Sequence, residues 1–185
     1  LITHRELGWE ESGAEQAWVS GLIALRQSQG LRTALVDVQD IFDEFGYGFA
    51  TPQAIKDFIA YAWAHWQRPA PRYVLLVGDT SYDYKDNWNT GAKSYVPGHL
   101  VFTPPLGETI SDDWYVQVSG QDALSDLAIG RLPVNSAGQA AELVAKIIAY
   151  ETTANSQRWE KRMLLVADNR SEDWEGIFEQ MNEQL

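Results

Sequence analysis

The sequence predicts an α/β domain built on a mainly parallel sheet, and three observations lead there. Apolar runs of strand length alternate along the chain with stripes of helical period. Two of the runs, Tyr73-Val-Leu-Leu-Val77 and Met163-Leu-Leu-Val166, are continuous, as in strands covered on both faces. Helices between successive strands are what right-handed parallel crossovers require.

Taken in order, Leu1–Thr3 reads as the tail of a strand. A helix over roughly Glu11–Gln29 follows, with Trp18, Leu22 and Leu25 on one face and Gly30 as its stop. Thr33–Val38 is the second strand. Thr51-Pro52 opens the next helix as an N-cap followed by Pro at the first helical position. Its apolar stripe is Ile55, Phe58, Ile59, Ala62 and Trp66. Tyr73–Val77 is the third strand. Trp114–Val118 and Asp126–Ile129 read as a small β-hairpin around a polar turn. A helix from Asn135 or Ser136 buries Leu143, Val144, Ile147 and Ile148. Met163–Val166 is the last strand, and Trp174–Leu185 reads as a helix with no Gly or Pro stop. Both ends therefore read as cuts in a longer polypeptide.

Composition narrows the function classes. The 185 residues include 26 acids against 14 Lys and Arg, a net charge of −12, where a nucleic-acid surface would be basic. An acidic surface leaves carboxylates for hard cations. No apolar run reaches the roughly 18 residues of a membrane span, and the first residues lack the basic and apolar regions of a signal peptide. The absence of cysteine removes disulfides, thiolate metal sites and a Cys nucleophile from the chain. Phosphate-cradling Gly motifs and the G-x-S-x-G elbow are also missing. His4, His65 and His99 are scattered, with no nucleophile patterned beside them.

Two regions are left as candidate sites. The connection Thr80–Asp113, rich in Gly, Pro, Asn and Tyr, is long for a compact domain, and such loops are often functional. Open α/β sheets bind ligands beyond the carboxyl ends of their strands. That rule picks out Asp79, Asp168 and the loops around Asp37/Asp40 and Asp122/Asp126. Within Ser119-Gly-Gln-Asp122-Ala-Leu124-Ser-Asp126, carboxylates in a Gly-containing turn could wrap Ca²⁺, which takes six to eight oxygens. A polar turn rich in Asp for local reasons is the plainer alternative.

Several stretches together resemble the gingipain-type cysteine peptidase family. They are 28–41, Pro52–Phe58, Tyr73-Val-Leu-Leu-Val-Gly-Asp79, Ser111-Asp-Asp-Trp-Tyr115, Asp126-Leu-Ala-Ile-Gly-Arg-Leu-Pro133 and Met163-Leu-Leu-Val-Ala-Asp168, in the family's order. The resemblance implies a three-layer α/β/α, caspase-like fold over 1–185, forming the N-terminal subdomain of the peptidase domain. A His in a Gly-His-Gly turn and a Cys nucleophile would follow Leu185, giving thioester chemistry that this segment cannot perform alone. Calcium is implied at Ser119, Asp122, Leu124 and Asp126, with Ser119 and Leu124 giving backbone carbonyls. Asp79 falls on another calcium-associated aspartate. Asp173, with Glu172 as rival, falls near the acid lining the specificity pocket of arginine-specific members; an Asp at a helix N-terminus complementing its dipole is the plainer explanation, and arginine specificity is not expected.

The expected partner is a peptide or protein substrate held with the downstream subdomain, and the expected location is secreted or cell surface. The alternative is a degenerate, calcium-binding interaction domain, with Tyr82, Tyr84, Trp88 and Tyr95 as contact residues. A third reading makes Asp79 the acid, base or phospho-acceptor of a small-molecule site, but no acid cluster with a placed Lys accompanies it.

Overall fold

A computed structural model of the protein describes residues 1–104, 106–120, 122–153, 163–166 and 176–183. The chain divides into two units, Leu1–Glu151 and Thr152–Leu185.

The first unit is built on four parallel strands: β1 (Ile2–Thr3), β2 (Val36–Asp37), β3 (Tyr73–Val77) and β6 (Ala128–Leu132), in the order β2-β1-β3-β6. β3 and β6 pair along five residues, from Tyr73↔Ala128 to Val77↔Leu132. β1 pairs with β3 only at Ile2↔Leu76 and Thr3↔Val77. Two apolar clusters cover the sheet's two faces. On one, α3 (Val38–Phe45) and α4 (Pro52–His65) bring Ile41, Phe42, Ile55 and Ile59 against Ile2 and Leu76. On the other, α1 (Arg5–Gly8), α2 (Ala17–Ser28) and α5 (Ala137–Thr152) bring Leu7, Trp18, Val19, Leu22 and Val144 against Val77. Burying each large aliphatic side chain stabilises the fold by about 1.5–3 kcal/mol. The three-layer α/β/α architecture expected from the sequence is therefore present.

Local chemistry sets the helix ends. Thr51 Oγ1 accepts from the Ala54 amide at 3.3 Å, and Asp37 Oδ1 from Gln39 at 3.1 Å. Gly30 ends α2 at φ +82°, where a side chain would be strained. Thr3, wholly buried, donates its hydroxyl to the Val77 carbonyl at 2.8 Å, so no polar atom is stranded between β1 and β3.

Five expectations are corrected. The second strand spans only Val36–Asp37, because Asp37 caps a helix at once; Val38, Ile41, Phe42 and Phe45 form an i, i+3, i+4, i+7 stripe. The helix expected from Glu11 starts at Ala17, because Gly13 at φ +84° turns the chain and Trp9 bridges Glu15. Trp114–Val118 is not a strand; Asp113–Val116 is a 3₁₀ turn that buries the consecutive residues Tyr115 and Val116, which a strand would send to opposite faces. The hairpin is instead β4 (Leu100–Thr103) with β5 (Gly107–Ile110), and the strand expected at Asp126–Ile129 lies two residues later. Met163–Val166 takes no regular structure and exposes all four side chains.

In the second unit, α6 (Gly176–Glu183) lies within the helix expected over Trp174–Leu185. No helix among the described residues is long and apolar enough to cross a membrane.

The α2–α5 contact carries a pH dependence. Glu151 accepts from Arg26 through both oxygens, at 2.6 and 2.8 Å, and from Gln29 at 3.0 Å. The Arg26 and then the Gln29 hydrogen bonds hold its carboxyl down at about 2. A depressed carboxylate stabilises the fold above its ordinary pKa of 4.5 and loses that contribution as pH falls toward 2. Glu151→Gln should therefore lower the urea midpoint at pH 6 and leave it little changed near pH 2.

Candidate functional site

The sheet order places β1 between β2 and β3, so the connection from β1 to β2 runs one way and that from β2 to β3 runs back across β1, which makes the carboxyl ends of β1 and β3 the switch point where such sheets form a crevice. This protein fills that crevice with its own long loop. Gly78 has φ +142°, and a Cβ there would stand 2.7 Å from Tyr95 Cβ. Leu7, Tyr95 and Val96 close over the position.

Asp79 follows directly and acts as a fastener. Its amide donates to the Val134 carbonyl at 2.9 Å, and its own carbonyl accepts from Tyr95 at 2.9 Å and Val96 at 3.4 Å. Its carboxylate accepts from the Thr80 amide at 2.9 Å and Asn135 Nδ2 at 3.0 Å. Both carboxylate oxygens thus serve the connections after β3 and β6.

The strongest polar node in the region is one that reading the sequence did not identify. Arg131, in β6, donates from Nε and Nη2 to the two oxygens of Asp112 at 2.8 and 2.7 Å. Its Nη1 donates to the Gly78 and Val96 carbonyls, both at 2.8 Å. The Arg131 side chain is only 10% exposed. One guanidinium therefore joins the end of β3, the long loop and the Ser111-Asp-Asp-Trp segment. Beside it, burial raises the pKa of the Tyr115 phenol, whose hydroxyl donates to the Pro97 carbonyl. An arginine inside an apolar strand was the available signal, because a buried cation demands a carboxylate.

The loop 119–126 lies at the other end of the sheet. Asp126 stands two residues before Ala128, which pairs with the first residue of β3, whereas Asp79 stands two residues beyond the last. About 13 Å of strand separates the two ends at roughly 3.3 Å per residue, so Asp79 is not part of one site with Asp122 and Asp126. It also means that this loop lies at the amino ends of the strands, not at the carboxyl ends expected. Within it, Asp126 Oδ2 accepts from the Val118 and Ser119 amides, both at 2.8 Å, and Asp122 Oδ1 from Leu124 at 3.0 Å. Among the described residues no donor reaches Asp126 Oδ1 or Asp122 Oδ2. Carboxylate and carbonyl oxygens are the kind of donor a hard cation takes. No group of three or more acidic or His side chains that could hold a metal occurs among the described residues. Asp168, Glu172 and Asp173 lie outside the described residues.

Each of the three histidines makes local contacts. His4 caps α1, accepting from the Glu6 amide at 3.2 Å, and its ring meets Tyr95 edge-on. His65 is exposed and stacks on Tyr61. His99 stacks on Trp114 at 3.6 Å, and burial followed by Lys56 lowers its pKa. Of the loop aromatics, Tyr95 packs inward, while Tyr82 and Trp88 stack on each other and stay exposed.

Comparison with known proteins gives a consistent picture. The model of peptidase family C25 matches residues 1–185. A search of curated proteins gave no match. Among solved structures, dimeric latent PorU from Porphyromonas gingivalis is similar with a TM-score of 0.64 and 19% identity, over 96% of this chain and 18% of that one. The complex of the RgpB pro- and mature domains from Porphyromonas gingivalis is similar with a TM-score of 0.51 and 26% identity, over 70% of this chain and 25% of that one. The Arg-specific cysteine proteinase gingipain R gives a TM-score of 0.50 and 26% identity, over 70% and 24%. The chain thus spans a quarter or less of the proteins it resembles.

The Arg131 node yields a direct test. Arg131→Lys and Asp112→Ala should each cost about 3 kcal/mol in urea unfolding, because each leaves a partly buried partner unpaired. The double variant should cost clearly less than the sum of the two. Additive losses would show that the pair does not act as a unit.

Proposed function

Because the chain belongs to peptidase family C25, we propose that it is the non-catalytic N-terminal half of a gingipain-type cysteine endopeptidase domain. The observation that carries this is the match over residues 1–185 of a chain with no cysteine. The thiolate that attacks the peptide carbonyl, and the His that manages its proton, would then come from a second subdomain downstream. What this half supplies is a rigid sheet, the Arg131-fastened loop over its carboxyl ends, and one wall of the substrate site. Asp173, with Glu172 as rival, is the candidate for that wall. The substrate would be a peptide or protein, and the setting secreted or cell surface.

The chain alone should not hydrolyse fluorogenic peptides. A longer polypeptide carrying it together with the downstream subdomain should hydrolyse them and lose activity on thiol alkylation. Activity that survives alkylation would contradict the cysteine mechanism.

The same reading assigns a structural Ca²⁺ to the 119–126 loop, held by the carboxylates of Asp122 and Asp126 and the carbonyls of Ser119 and Leu124. The free carboxylate oxygens described above support the fit. The ion would cross-link the turn ahead of β6 and take no part in peptide cleavage. Asp79 remains a second family-implied calcium position, although its two oxygens are already engaged. An inactive, calcium-binding interaction domain is the rival reading, favoured by the exposed Tyr82–Trp88 stack.

Calcium at about a hundredfold above Kd should raise the unfolding midpoint by roughly 5–10 °C, and chelator should reverse it. The shift should disappear in Asp122→Ala/Asp126→Ala. A shift that persists in the double variant would move the ion elsewhere.

A further inference from the structure

The hairpin of the long loop carries a face that the core does not use. β4 and β5 pair with Phe102 directly opposite Glu108 and Leu100 opposite Ile110. Opposite partners, and residues two apart along a strand, share one face of a hairpin. On this face Phe102 is 75% exposed and Ile110 41%. Tyr82 reaches the same face from the start of the long loop, because its hydroxyl donates to Glu108 Oε2. Trp88 then stacks on Tyr82, with ring centroids 5.9 Å apart and planes 17° from parallel. Both rings remain largely in water.

The turn that presents Trp88 is fixed by its own side chains. Asp83 accepts from the Trp88 amide at 2.8 Å and from Asn87 Nδ2 at 2.7 Å. Asp86 Oδ1 accepts from the Thr90 amide at 2.7 Å and the Thr90 hydroxyl at 3.0 Å. Asp86 and Asn89 take φ of +50° and +53°, a region in which Asp and Asn are among the best-tolerated side chains. An indole held outward in this way loses little freedom when a ligand settles on it.

Charge singles out the ligand. Among the described residues Glu108 has no Lys or Arg partner, and no donor reaches its Oε1. The two lysines of the loop are occupied elsewhere, Lys85 over the Tyr84 ring and Lys93 with Glu6. By contrast, Asp83 and Asp86 are engaged by the turn, and Asp112 by Arg131. A carboxylate with one free oxygen, flanked by aromatic faces, matches a guanidinium. The guanidinium plane stacks on a ring while its N–H groups meet the carboxylate. The net charge of −12 draws a cationic partner and repels an anionic one.

We propose that Glu108, Phe102 and the Tyr82–Trp88 pair form a docking site for an arginine side chain in a basic segment of a partner protein. The aromatic faces take the guanidinium plane, and Glu108 Oε1 accepts from its N–H groups. Contacts of this kind at an exposed site are individually weak, so the site suits reversible capture of a flexible segment. The assignment goes beyond the peptidase reading and stands on the residues of the long loop whether or not that reading holds.

The test titrates the chain with the capped peptide Gly-Arg-Gly-Arg-Gly and follows the Trp88 indole N–H resonance, assigned by its loss in Trp88→Phe. The peptide should shift that resonance saturably, and the same peptide with citrulline in place of arginine should not. Glu108→Gln and Tyr82→Ala should each weaken binding about threefold or more, as the loss of one exposed charged or aromatic contact predicts. Both positions lie at the surface, so the core is untouched. Asp43→Asn, which removes an exposed acid on α3, should leave the affinity unchanged. No shift at Trp88, or equal binding of the citrulline peptide, would overturn the proposal. So would an equal loss in Glu108→Gln and Asp43→Asn, since the peptide would then be answering only to net charge.

Discussion

The Arg131 guanidinium, enclosed by Asp112 and two main-chain carbonyls, is the constraint around which the sheet and its long loop are arranged. A cation held inside a parallel sheet must be paired and fully hydrogen-bonded, or its desolvation would cost several kcal/mol. Meeting that demand forces three distant segments together. The bend after β3 must offer the Gly78 carbonyl, the long loop must return to offer that of Val96, and the segment ahead of the 3₁₀ turn must bring Asp112. Asp79 adds to the same closure by fastening Tyr95 and Val96 with its carbonyl and Asn135 with its carboxylate.

The functional consequence follows from what the closure occupies. In sheets of this type the crevice beyond the carboxyl ends is where a ligand usually sits. Here Leu7, Tyr95 and Val96 fill it, and the histidines nearby are engaged in capping and stacking. That arrangement fits the supporting role proposed for this chain. This agrees with membership of a cysteine peptidase family by a chain that has no cysteine. The 119–126 turn lies toward the amino ends of the strands, away from the Arg131 node.

Much of this was legible in the sequence, for particular reasons. The run Tyr73–Val77 and the Thr51-Pro52 cap each have a single physical meaning, and the structure bears them out. The stretches that carried the family resemblance, Val77-Gly-Asp79, Ser111-Asp-Asp-Trp and Ile129-Gly-Arg131, prove to be the segments that meet at Arg131. That meeting was not legible, because no local pattern tells which acid a strand arginine will find 19 positions away. Val38–Phe45 was hidden by a β-branched approach that reads as strand until Asp37 is recognised as a cap. The 3₁₀ turn at Asp113–Val116 was hidden because a run of aromatic and β-branched residues such as Trp114-Tyr-Val-Gln-Val118 looks like a strand whenever tertiary contacts are unknown. Similarly, strand-end reasoning selected the 119–126 turn but placed it at the wrong end of the sheet, since the true start of β6 depends on its register with β3.

The most direct measurement is amide hydrogen exchange in Arg131→Lys compared with the parent chain. If the guanidinium holds the long loop over the sheet, the Tyr95 and Val96 amides should exchange faster than the global loss of stability accounts for. The amides of the β3–β6 ladder should follow the global change alone. Equal acceleration in loop and ladder, or unchanged exchange at Tyr95 and Val96, would contradict the view that Arg131 organises the loop over the sheet.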